Sequence, residues 1–404
     1  MYFTRSIWWL NPICIYIAIT LVAVYACTIS EKSYWLLYRV QGKYIDSSYL
    51  IIYIASAFLF CIGCLTAKDF YGKDFEKVCL LGKVYDLMFK LTLMAYAIWF
   101  SRFILINGLS SFFSFLSPSL LTSKMYQFRA NSGQISGLTS MTEFGVVVAP
   151  LSVLLHQVSS NRIYKLHFSI LCVLACIRAA LFSERLAILE IVVPSFIAYL
   201  ALRNYRTLYK IIPIIAVILL FMIFGIFEYS RSWKSFYIDV YQGSYVNFII
   251  DRVLGYYAIA ANTECSYLHF NGPDYFPSQL LQWLWKFPIL NKVPSLFIST
   301  LNDRNIIKLL EAFGNPEFNN PGGMLTAVHD FGIAGIFLSF FFGRIVGCLY
   351  NAFRRGYLEG IVLYQICILC LIELPRYFYF GCPRACFVLI GMAYVYKKSK
   401  EIVP

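Results

Sequence analysis

The residues with the greatest chemical reach in this chain are arginines. Arg129, Arg185, Arg231, Arg252, Arg304, Arg376 and Arg384 fall between apolar runs, and Arg102 and Arg178 lie near the ends of such runs. A guanidinium offers planar, paired N–H donors that match the geometry of a phosphate. An arginine in hydrocarbon costs at least ~2.5–3.5 kcal/mol, so it normally faces a cavity or a partner. Arg178 and Arg185 are seven residues apart and share a face if one helix runs through both. Gathered at one membrane surface, such groups suit an anionic, membrane-held ligand of the lipid pyrophosphate kind. The alternative is snorkelling to the interface, or pairing with Glu184 or Glu373.

His329-Asp330 is the second feature. The pair follows Asn319-Asn320-Pro321-Gly322-Gly323-Met324 and precedes Phe331-Gly332, with Gly335 further on. An imidazole titrates near neutrality and can take a proton from an attacking hydroxyl. Asp330 could do the same, or could cap a helix start. Glu143 is a more distant candidate base. The other histidines are His156 and His167, beside one short gap, and His269. A lone histidine is more often structural than chemical.

Several motifs are missing. There is no Gly-rich phosphate loop, no H-E-x-x-H and no G-x-S-x-G. The only D-x-E, Asp74 to Glu76, lies between Lys73 and Lys77 and reads as a solvated charge run. No acidic cluster supports a metal centre, and no cofactor is expected. Cys61-x-x-Cys64 and Cys367-x-x-Cys370 sit in apolar runs without histidine or carboxylate close by, so they read as small apolar filler.

The elements that must hold these residues are membrane helices. Hydrophobic residues make up 60% of the 404 and charged residues 14%, against roughly 45–50% and about 25% in soluble chains. That excludes a cytosolic enzyme, a secreted disulfide scaffold and a disordered tail. The net charge of +13 is no nucleic-acid footprint, because the basic residues fall between apolar segments, where they set topology. Ten spans are expected, at about 7–29, 49–67, 84–107, 141–158, 166–183, 186–202, 210–228, 331–352, 357–374 and 381–396. Lys68, Lys73, Lys77 and Lys83, then Arg162 and Lys165, Arg203, Arg206 and Lys210, Arg354 and Arg355, and Lys397, Lys398 and Lys400 occupy every second gap. These gaps and both termini are assigned to the cytoplasm. The chain divides into a bundle over 1–228, a large outer loop over 229–330, and closing helices over 331–404. Aromatic content argues against disorder in that loop. Within it, 248–260 has apolar residues at helical spacing. Gln279–Ser299, with Trp283, Trp285, Phe287 and Leu290, reads as an interfacial or half-inserted helix pair.

This organisation resembles the Wzy-type O-antigen (oligosaccharide repeat-unit) polymerases. The similarity rests on ten or more spans, a large outer loop late in the chain, and the run Asn-Pro-Gly-Gly…His-Asp-Phe-Gly-x-x-Gly over residues 320–335. Ser183-Glu184-Arg185 and Tyr229-Ser230-Arg231-Ser232 are similar to stretches where the family carries an outer-surface arginine. Arg304 to Gly314 is one residue short of an Arg-x(10)-Gly element of some members. The resemblance implies an all-α, polytopic bacterial inner-membrane protein of the C-type glycosyltransferase fold. It implies transfer of a growing glycan from undecaprenyl pyrophosphate to the non-reducing end of a lipid-linked repeat unit, on the periplasmic face and without metal. Arg129, Arg185, Arg231 and Arg252 would then hold the pyrophosphate, and His329 or Asp330 would be the base. Membrane lipids and the lipid-linked oligosaccharide are the expected partners, and a chain-length regulator is a family expectation. The rival readings are an O-antigen ligase and a lipid-linked oligosaccharide flippase or other transporter.

Overall fold

The structure is a computed structural model, which describes residues 7–68, 72–113, 135, 137–182, 184, 186–203, 207–229, 233–234, 237–287, 289–298, 309, 312–315 and 318–401. Arg129, Arg185, Arg231 and Arg304 lie outside the described residues. Among the described residues there are helices and isolated bridges but no strand.

Each of the ten apolar segments coincides with a helix. In chain order these are α1 (Pro12–Thr28), α3 (Ser47–Leu65), α4 (Gly82–Asn107), α5 (Gly145–Ser159), α6 (Arg162–Phe182), α7 (Leu186–Ala201), α8 (Ile212–Glu228), α11 (Ile336–Arg355), α12 (Leu358–Glu373) and α13 (Ala385–Glu401). Between them come α2 (Glu31–Tyr38), α9 (Tyr245–Asn271) and the short α10 (Thr326–Phe331). Starts are set locally. Asn11 caps α1 through Ile13 N at 3.0 Å, with Pro12 pre-set in the first turn, and Asp46 caps α3 through Tyr49 N at 2.9 Å. Six helices among the described residues are long and apolar enough to cross a membrane: Ser47–Leu65, Phe75–Asn107, Thr139–Ser159, Arg162–Phe182, Tyr209–Ile226 and Thr326–Arg355. Pro12–Thr28 and Leu186–Ala201 are apolar but shorter.

Burial sorts these helices. α12 is apolar all round and buried along nearly its whole length, so it is the central strut. α8 is equally apolar, yet Ile214, Val217, Ile218, Leu219, Met222 and Ile226 are exposed, as on a helix that faces lipid. α3 and α11 cross at backbone contact. A Cβ on Gly63 would stand 2.1 Å from Phe340 O, and one on Gly343 would stand 2.2 Å from Phe60 O. Gly343-x-x-x-Gly347 therefore works as a small-residue seam. The Cys64 thiol donates to Gly343 O at 3.2 Å across it.

α9 is a finding of the fold. The apolar helical spacing at 248–260 belongs to a 27-residue helix, and this helix lies along α1 and α8 rather than standing off in a loop. Tyr245 Oη donates to Gly225 O on α8. Ile19, Val22 and Ala23 of α1 share a cavity of about 10 Å³ with Tyr257, Ala261 and Glu264 of α9.

Loops expected on one side meet one another. At the lysine end, Leu358 N donates to Lys73 O at 2.6 Å, Lys400 Nζ lies 3.7 Å from Glu359 Oε1, and Trp9 Nε1 donates to Tyr209 O at 2.9 Å. At the arginine end, Gln41 N donates to Phe313 O at 3.2 Å, Gly322 N to Arg376 O at 2.9 Å, and Asp274 N to His329 O at 2.7 Å. Replacing Gly343 by Val pushes two methyl groups into the α3 backbone. Overpacking of this kind costs about 1–3 kcal/mol or more. Purified Gly343→Val protein is therefore expected to unfold at a clearly lower temperature in detergent than the parent.

Candidate functional site

Three polar centres lie at the arginine end, and each is buried. The first joins five charged side chains from five places along the chain. Arg178, towards the C-terminal end of α6, is 1% exposed. Its Nη2 meets Glu143 Oε1 at 3.0 Å and Glu184 Oε2 at 2.9 Å, its Nη1 meets Thr142 Oγ1 at 3.2 Å, and its guanidinium lies 4.6 Å over the Trp99 ring. Glu143 comes from the 3₁₀ turn before α5, and Glu184 from the α6–α7 junction. Arg384, just before α13, approaches Glu184 at 3.0 Å, Glu190 at 3.6 Å and Glu143 at 3.7 Å. Tyr379 Oη donates to Glu190 Oε1 at 2.9 Å.

The second centre is built around Glu264 of α9, which is 1% exposed. One carboxylate oxygen accepts from Tyr53 Oη at 2.6 Å and the other from Leu325 N at 2.7 Å. Leu325 is the residue that opens α10, so Glu264 caps that helix from a distance. Among the described residues, no cation pairs with this carboxyl. Its own carbonyl oxygen faces His329 Nε2 at 3.1 Å. A carbonyl can only accept, so Nε2 carries the proton, and the lone pair of a neutral ring sits on Nδ1. The Tyr267 ring stacks on the imidazole at 4.8 Å and 12°. Glu264 thus grips α10 twice, once by its side chain and once by its main chain.

Asp330 faces another way. It is 0% exposed. Its oxygens accept from Gln279 N at 2.9 Å, Leu280 N at 2.8 Å and Ser278 Oγ at 3.0 Å. A carboxylate so engaged has its lone pairs committed to a turn. Gly322, at φ +80°, sets the path into α10, because a Cβ there would meet Glu264 Cβ at 2.6 Å. The Pro-Gly-Gly stretch therefore exists to let the chain pass between Glu264 and the backbone of Tyr377.

The third centre holds Arg252 and Arg376. Arg252, 6% exposed, meets Glu228 Oε2 at 3.3 Å, and its guanidinium lies 4.7 Å over Phe318. Arg376 meets Glu373 Oε2 at 2.7 Å and Tyr256 Oη at 3.1 Å. Arg178, Arg384, Arg252 and Arg376 therefore each carry a carboxylate partner.

Of the residues chosen from sequence, His329, Asp330, Arg252 and Glu143 are placed at this end, while Arg129, Arg185 and Arg231 lie outside the described residues. Glu264, Tyr53, Glu190 and Glu228 were not singled out. A signal existed for two of them. Glu190 is the lone charge in 186–202, and Glu264 the lone carboxylate in 253–270. An ionisable residue in such surroundings is a functional candidate by default. Among the described residues no group of three or more His, Cys, Asp or Glu is placed to hold a metal. No family model, curated protein or solved structure matches the chain.

Removing one partner from a buried ion pair strands the other charge and costs about 3–5 kcal/mol. Arg178→Ala is expected to lower stability by that order in detergent unfolding. Lys398→Ala, which breaks the exposed pair with Glu401, is expected to leave the unfolding temperature unchanged.

Proposed function

We propose that this protein is a membrane-embedded glycosyltransferase that polymerises lipid-linked oligosaccharide repeat units at the outer face of a bacterial inner membrane. The observation that supports it most is His329. Its ring is clamped by Tyr267, its Nε2 is protonated towards Glu264 O, and the lone pair is left on Nδ1. It stands at the bundle end where the arginines gather.

In the proposed reaction, the acceptor hydroxyl of one lipid-linked repeat unit attacks the anomeric carbon of the other. The C–O bond to diphosphate breaks, and polyprenyl diphosphate leaves with the bonding pair. The hydroxyl proton passes to His329 Nδ1. Two lipid anchors confine both reactants to one plane, which raises their effective concentration. The leaving diphosphate needs cationic donors, since charge that develops in the transition state is where fixed donors help most. Arg129, Arg185 and Arg231 are assigned that contact. Arg252 joins them only by releasing Glu228, because a neutralised guanidinium attracts a diphosphate weakly.

The test is purified protein with a synthetic polyprenyl-diphosphate repeat unit as the only substrate. A polymerase makes a ladder of products. His329→Ala is expected to slow that ladder by about 10²–10⁴-fold, the usual contribution of a general base, measured per folded protein. A ligase would make no ladder without a separate acceptor, and a flippase would make none at all. Either outcome sinks the reading.

A further inference from the structure

The stretch after α9 carries an interaction surface that the reaction above does not use. It is stitched to α10 at its base. Asp274 N donates to His329 O at 2.7 Å, and Gln279 N and Leu280 N donate to the Asp330 carboxylate at 2.9 and 2.8 Å. It then folds back on itself through the short helices Gln282–Trp285 and Val293–Phe297. Phe276 is buried between two rings, Trp285 at 5.0 Å and Phe297 at 4.9 Å, and Trp285 Nε1 donates to Pro277 O at 2.8 Å. The base is therefore a small built core.

The tip is the opposite. Ile289 is 90% exposed, Leu296 79% and Phe297 66%. Lys286 and Lys292 are exposed among them. No aspartate or glutamate occurs between Asp274 and Asp303, so the tip carries positive charge only. Apolar side chains this exposed are not left to water without cost. At about 25 cal/mol per Å² of apolar area, a lipid edge is the favourable place for them. Bulky apolar groups ringed by lysines are the composition of an element lying in the plane of a membrane interface.

We infer that this hairpin is a membrane-interface anchor, with Ile289, Leu296 and Phe297 in the apolar edge of the bilayer and Lys286 and Lys292 on anionic lipid headgroups. Asp330, the residue next to His329, ties the anchor to α10. The height of the imidazole above the acyl chains is then set by where the hairpin sits. That consequence rests on the polymerase reading, in which both substrates arrive at a height dictated by their lipid tails.

The experiment uses the full-length protein in vesicles of phosphatidylcholine with and without phosphatidylglycerol. Ile289→Trp and Leu296→Trp each add an indole at the tip. Emission above the parent's is expected to be quenched by lipids brominated near the headgroup and spared by acrylamide. It is expected to shift further to the blue with phosphatidylglycerol, and Lys286→Glu with Lys292→Glu should remove that increment. Quenching by acrylamide and not by lipid overturns the anchor. In the ladder assay, Ile289→Asp with Leu296→Asp is expected to lower turnover roughly tenfold to a hundredfold, while short water-soluble acceptors lose less. Full turnover by that variant overturns the height-setting role. Lipid quenching of the added indoles, together with a parent protein that makes no ladder, supports the anchor and sinks the polymerase reading, so the two failures are distinguishable.

Discussion

A guanidinium cannot sit in a low-dielectric interior without an acceptor, and Arg178 shows what that requirement does to this fold. Its carboxylate partners come from the turn before α5 and from the α6–α7 junction, and Arg384 reaches the same carboxylates from the segment before α13. Three connections far apart in sequence are thereby drawn to one point. The helices beneath them could slide on one another, because apolar surfaces are non-directional. The ion pairs are directional, and they fix which helix ends meet. The same logic recurs at Arg252 with Glu228 and at Arg376 with Glu373.

Glu264 uses a different device. It holds α10 through two hydrogen bonds of different origin, one from its side chain and one to its carbonyl oxygen. A six-residue helix has little stability of its own, since nucleation outweighs so short a run. It is ordered here because α9 supplies a cap and Asp330 supplies a seam to 278–280. The His329 ring is consequently held by groups on other elements, which keeps it in one tautomer and one orientation. The arginine end thus contains a rigid interior of paired charges and a histidine held by one hydrogen bond and a stacked ring.

Much of the fold was legible in the chain itself. All ten apolar segments are helical, since a long apolar run leaves the backbone no better way to satisfy its hydrogen bonds in hydrocarbon. Lys73 and Tyr357–Leu358 meet at one end and Gly322 and Arg376 at the other, as the distribution of lysine and arginine implied. The candidate site was legible only by residue type. His329 and the arginines were visible, but their partners were not. Glu264 is separated from Leu325 by 61 residues and from Tyr53 by 211, and no local pattern links them. α9 was half seen. Its apolar spacing indicated a helix, yet Asn262 and Glu264 within it hid that it lies against α1.

Composition and the spacing of basic residues therefore determined the class of molecule, the helices and which gaps share an end, because those depend on transfer of each segment between water and hydrocarbon taken one at a time. The tertiary structure decided which charges pair, that Asp330 is committed to a turn, and that His329 turns Nε2 to Glu264 O. Those outcomes depend on side chains brought within about 3 Å by packing, a distance that periodicity along a single helix does not encode.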